Sequence, residues 1–129
     1  MNEIQSHRDL VAWQKAVELG LQVYDATKNF PSDERFGLVS QLRRGGVSVA
    51  SNIAEGYGRA STSDYLRFLR VARGALFEVD TQLIFAVRLS FIETAKYAEL
   101  EAKCKECGRI LAGLIRSIEA KLGESESGH

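Results

Sequence analysis

Cys104 and Cys107 form a C-x-x-C, a spacing suited to thiol redox chemistry or to half of a tetrahedral zinc site. Zinc would need two more thiolates or imidazoles, whereas the chain has no other cysteine and only His7 and His129, one near each end. Both sulfurs also fall on the apolar row of their segment, where free cysteine packs as a small hydrophobe. Packing is the expected role of both thiols, and no metal or cofactor is expected. Histidines so far apart offer no general base beside a nucleophile, and the Glu-x-x-His pairs of ferritin-like metal bundles are missing. Gly56, Gly58 and Ser61 imitate the opening of a dinucleotide-binding loop, but that loop follows a strand and these residues follow a helical pattern. Glu55, Glu78 and Asp80 are the carboxylates expected to be partly buried, paired with arginines or capping helix ends. None of these residues predicts an enzyme.

One charge asymmetry stands out. Between residues 43 and 73 the basic side chains are Arg43, Arg44, Arg59, Arg67, Arg70 and Arg73, against Glu55 and Asp64, so six minus two leaves plus four in a chain whose total is zero. All of that excess is arginine, which grips phosphate in two places and stacks on bases. Arg67, Arg70 and Arg73 recur every three residues and fan over one side of a helix, with Arg59 in the turn before them. These six are the candidate nucleic-acid contacts. The alternative is a solvated face with local pairs such as Glu55 to Arg59, and repetition in an oligomer would strengthen the field of either arrangement.

Four periodic segments must position these groups. The first, about 9–29, carries Leu10, Trp13, Val17, Gly20 and Tyr24 at steps of three and four, beside a second row of Ala12, Ala16, Leu19, Val23 and Ala26. Phe30 and Pro31 close it. The second, about 32–57, opens on Ser32 as N-cap with Asp33 and Glu34 in the first turn, and its core row is Val39, Leu42, Gly46, Val49, Ile53 and Gly56. Gly45 and Gly46 predict a bend, since each interior glycine costs ~1 kcal/mol relative to alanine. Gly58 suits a left-handed helix end, and Ser61 with Asp64 resembles a capping box.

The third segment, about 62–89, places Tyr65, Leu69, Ala72, Leu76, Val79, Leu83 and Ala86 on one face. Leu66, Phe77 and Ile84 lie on a flank, with Val71 and Phe85 almost opposite the core row. A helix apolar around so much of its circumference is usually buried on more than one side, which predicts a homo-oligomer with those five residues at its interface. Tolerated surface hydrophobes are the alternative. The fourth segment, about 91–122, follows a capping box of Ser90 and Glu93 and repeats Tyr97, Leu100, Cys104, Cys107, Leu111, Leu114 and Ile118. Residues 1–8 are expected to be a flexible lead-in and 123–129 a disordered tail.

Short connections make successive helices antiparallel neighbours, so the fold class is all-α: an antiparallel up-and-down four-helix bundle. Its 129 residues suit one domain, and a single proline leaves long stretches without a helix breaker. No apolar run suits a secretory signal or a membrane span, and two cysteines fit a reducing compartment; the expected location is the cytoplasm, with no membrane partner.

The stretch Ser48-Val49-Ala50-Ser51-Asn52-Ile53-Ala54-Glu55-Gly56-Tyr57-Gly58-Arg59, preceded by Arg43-Arg44, resembles the 23S rRNA intervening-sequence protein family, the four-helix bundle proteins. Leu10 to Ala16 (LVAWQKA), Tyr65 to Leu69 (YLRFL) and Ala72 to Ala75 (ARGA) are similar too, so the resemblance covers most of the chain. It implies a ring-shaped homopentamer of four-helix bundles with no enzymatic activity attached, encoded in bacteria within rRNA intervening sequences or elsewhere. Related accessory proteins of diversity-generating retroelements bind nucleic acid and a reverse transcriptase through a basic surface. Two departures stand out: Gly45-Gly46 replaces helix-favouring residues, and the zero net charge is less basic than those accessory proteins. The functional expectation is a non-catalytic oligomeric adaptor for RNA or DNA. A protein-interaction scaffold is the alternative, and a small-molecule cavity beside Gly46, Ala50 and Ala54 a third reading.

Overall fold

Ser6 caps the first turn of the chain: its Oγ accepts the Arg8 amide at 3.1 Å, and the Asp9 carboxylate accepts the Ser6 amide at 3.2 Å. This reciprocal cap fixes a 3-10 turn, His7–Asp9, which overlaps the end of the stretch expected to be a flexible lead-in. The structure is a computed structural model that describes residues 3–127. Four helices follow the turn: α1 Val11–Thr27, α2 Leu38–Tyr57, α3 Thr62–Arg88 and α4 Thr94–Ser127. No strand occurs among the described residues.

α1 and α2 pack side by side, as do α2 with α3, α3 with α4 and α4 with α1, so the helices form a square with α1 opposite α3. Each neighbour runs antiparallel. The end of α1 meets the start of α2 through Arg43 and Thr27, and the start of α3 meets the end of α4 through Arg70 and Glu119. Leu19, Leu42, Ile53, Leu69, Leu83, Leu100 and Leu111 are fully buried at the centre. Each such side chain contributes about 2 kcal/mol on transfer from water. The antiparallel four-helix bundle is the architecture that the periodic rows demand.

The connections depart from expectation where backbone groups found other partners. α2 begins at Leu38, not at Ser32, because Ser32–Glu34 turn as a separate 3-10 helix after Pro31. Gly37, just ahead of α2, has no side chain to cap with, and the Glu34 carboxylate instead accepts the Leu38 amide at 3.1 Å. Gly58 is not left-handed: its φ of −77° leaves it in the right-handed region. Ser61 does cap α3, accepting the Asp64 amide at 3.1 Å. Ser90 is the residue at positive φ, 65°. Rather than opening a capping box for α4, it ends α3. The Phe91 amide reaches the Ala86 carbonyl at 2.9 Å and the Ser90 amide reaches that of Val87 at 3.1 Å, the paired bonds of a Schellman motif.

α2 carries no break at its glycines. A methyl on Gly46 would stand 3.2 Å from the Gly20 Cα, and one on Gly45 would stand 2.8 Å from Val79 Cγ2. These two residues, about 100° apart around the helix, let α1 and α3 close on α2, which runs unbroken through both. α4 continues to Ser127 through residues read as a disordered tail, since no proline or left-handed glycine stops it. The remainder of that expected tail, residues 128–129, lies outside the described residues, as do residues 1–2 of the lead-in.

Candidate nucleic-acid interface and apolar faces

α2 aims its first arginines at different targets. Arg43 turns toward α1, where its Nε donates to Thr27 Oγ1 at 2.9 Å, its Nη2 to the Tyr24 carbonyl at 3.4 Å, and its guanidinium covers the Tyr24 ring at 4.7 Å. Thr27 is itself buried, with its hydroxyl donating to the Val23 carbonyl. Arg43 is a clasp between helices. Arg44 is exposed, forms no ion pair among the described residues, and borders the α2–α3 cleft with Gln41, Glu78 and Gln82.

The turn between α2 and α3 organises a second group. Arg59 pairs with Glu55 one helical turn back and stacks on the Phe68 ring at 4.7 Å. Arg67 pairs with Asp64 at 3.4 Å and stacks on the same ring at 4.4 Å. Arg70 reaches across to Glu119 of α4 at 2.9 Å, and Arg73 is exposed with no ion pair among the described residues. The expected carboxylate roles hold for Glu55, which pairs although exposed; Glu78 is exposed and Asp80 half-buried. Phe68, the shared platform for two guanidiniums, is the residue that spacing did not reveal.

The six arginines are therefore two sites. At 1.5 Å per residue, Arg43 lies roughly 21 Å before the end of α2 at Tyr57, whereas Arg59, Arg67, Arg70 and Arg73 follow in the turn and the first half of α3. Their carboxylate pairs are exposed on both sides. Such pairs are worth about 0–1 kcal/mol, so exchanging carboxylate for phosphate costs little.

Of the five side chains assigned to an oligomer interface, Val71, Phe77 and Phe85 are exposed on the outer face of α3. Leu66 is buried in the protomer's own core and Ile84 is half-buried. Leu66 joins the core at the start of α3 beside Tyr65, which is half-buried and packs against it. Phe77 and Phe85 line an open groove with Leu38 and Thr81. On the adjoining side, α1 and α2 enclose a cleft of about 320 Å³ lined by Trp13, Gly20, Leu21, Tyr24, Gly46, Val47, Ala50 and Ala54, among others, with no charged residue. That cleft lies beside the small residues where a cavity was expected.

Cys104 and Cys107 are buried in α4 and free. Burial, reinforced for Cys104 by Asp80, pushes that thiol up to about 12; burial, reinforced by Glu106, pushes Cys107 up to about 11. Protonated thiols are poor nucleophiles and poor ligands. Among the described residues no cluster of three metal-ligating side chains occurs, and no helix is long and apolar enough to cross a membrane.

A family model described as 23S rRNA-intervening sequence protein matches residues 8–113. Among solved structures, the chain is similar to a protein of unknown function from the S23 ribosomal protein family of Bacteroides thetaiotaomicron VPI-5482. The two share 22% identity with a TM-score of 0.76, over 82% of this chain and 96% of that one. At that identity the likeness carries the fold alone. No curated protein matches.

Proposed function

Because this chain belongs to the 23S rRNA-intervening sequence protein family, we propose that it is a non-catalytic, homo-oligomeric adaptor that binds RNA or DNA through Arg59, Arg67, Arg70 and Arg73. The observation that carries this reading is the cluster at the start of α3, where two guanidiniums stack on Phe68 and all four arginines are exposed. Arg43 drops out of the phosphate-binding set, since its guanidinium is spent on α1. Arg44 stands apart as an outlying contact. Assembly, five copies in the ring that the family resemblance implies, would repeat the cluster around an axis and raise its field.

Fluorescence anisotropy with single-stranded and hairpin RNA and DNA across a salt series tests the proposal. Four phosphate contacts to a single strand predict a log–log salt slope of about −3 per protomer engaged. Replacing Arg67, Arg70 and Arg73 together with alanine should remove most of that slope. Affinity unchanged in the triple variant sinks the assignment.

A protein-interaction scaffold is favoured by one specific observation: Arg59, Arg67 and Arg70 already hold carboxylates. In that reading the arginines take acidic groups of a partner. Pull-down from native lysate separates the two readings, because only a nucleic-acid adaptor loses its co-purifying material on nuclease treatment.

A further inference from the structure

The chain leaves two largely apolar surfaces without an internal partner. One lies on the outer face of α3. Phe77, Thr81 and Phe85 stand at i, i+4 and i+8 on the outer face of α3, a ridge of the kind that packs into a helix groove. Phe77 and Phe85 are 65% and 59% exposed, and Glu78 lines the groove beside them. The other surface is recessed: the α1–α2 cleft, floored by Gly20 and Gly46 and rimmed by Leu21 and Val47, which are 66% and 49% exposed.

We infer that the ridge of one copy seats in the α1–α2 cleft of the next, a head-to-tail contact that repeats around the oligomer. This rests on the oligomeric reading proposed above and supplies its contact. Length agrees: Phe77 to Phe85 spans about 12 Å, and the cleft from Trp13 to Tyr24 about 16 Å, at 1.5 Å per residue. Charge agrees as well, since the cleft lining is uncharged and would strand any ionic group pushed into it without a partner.

Area points the same way. With Phe36, which is 85% exposed and lies two residues before Leu38 at the groove edge, the three phenylalanines expose about 400 Å². A standard interface of about 800 Å² per partner, roughly 60% of it apolar, needs little more. Pairing ridge on ridge would bury the phenylalanines but leave the cleft empty, whereas head-to-tail contact covers both with one interface. In the square of helices the cleft occupies the α1–α2 side and the ridge the α3 corner, so the two faces are inclined to each other rather than back to back.

Two variants of the full chain test this by sedimentation velocity, with far-UV circular dichroism to verify folding. Phe77→Asp/Phe85→Asp removes the ridge and Leu21→Asp/Val47→Asp blocks the cleft; each alone should run as a monomer. Mixed in equal amounts they should form a two-chain complex and nothing larger, because one good ridge meets one good cleft. Should the double cleft variant not fold, Leu21→Asp alone serves, the more exposed of the two positions. A cleft variant that assembles like the wild type overturns the inference, as does a mixture that stays monomeric. Wild-type protein that is itself monomeric overturns the oligomeric reading above, an outcome distinct from either.

Discussion

Cys104 and Cys107 hold their protons because burial penalises the thiolate, and this has a pH signature. In the unfolded chain the thiols ionise near 9.0, whereas in the fold they do so at about 12 and about 11. Above pH 9 the unfolded chain gives up protons that the folded chain keeps, so the stabilisation is complete below that pH and declines as pH rises toward 11 and 12. Melting temperature should fall over this range, and fall less steeply in Cys104→Ala/Cys107→Ala. Some slope will remain, since burial also raises Tyr65 and Tyr97. An unchanged slope would place the effect elsewhere. The packing role of the pair was legible in sequence because both cysteines fall in register with Leu100 and Leu111, which are also buried.

At the scale of the helix, glycines that look alike in sequence do opposite work. A methyl on Gly56 would meet Phe68 Cβ at 2.9 Å and the Tyr65 carbonyl at 3.0 Å, so α3 depends on its absence; on Gly108 the nearest atom would be Leu76 Cδ2 at an ordinary 3.5 Å. Gly56→Ala should destabilise by about 1–3 kcal/mol through overpacking. Gly108→Ala should stabilise by about 1 kcal/mol through helix propensity. Urea denaturation of both variants decides, and equal effects of one sign would refute the distinction. The core row of α2 was readable in full: Val39, Leu42, Gly46, Val49, Ile53 and Gly56 are all buried. The start of α2 was not, because its cap comes from Glu34, four residues upstream and outside the helix. Nor was the end of α3, where the left-handed position fell to a serine rather than to glycine.

For the whole molecule, what sequence could not display is which charges meet. Glu119 lies 49 residues from Arg70, and only the antiparallel packing of α3 on α4 brings them together. The plus-four stretch consequently looked like one patch, although Arg43 and Arg44 sit far along α2 from the α3 cluster. Exposed apolar area was legible in part: Val71, Phe77 and Phe85 face out, while Leu66 belongs to the core. If copies associate through that outer face, folding is linked to assembly by mass action. The wild-type melting temperature should then rise with protein concentration, while that of Phe77→Asp/Phe85→Asp stays constant. Calorimetric scans at several concentrations measure this, and a flat wild-type series would argue against linkage.

Trp13 is the only tryptophan in the chain. It is half-buried, lies at one end of the α1–α2 cleft, and meets the His7 ring edge-on at 5.1 Å. Indole emission responds to the polarity around it, so the molecule carries its own optical probe at the mouth of that cleft. Whatever displaces water there changes the colour and yield of the intrinsic fluorescence, and occupancy can be followed without a label on either partner.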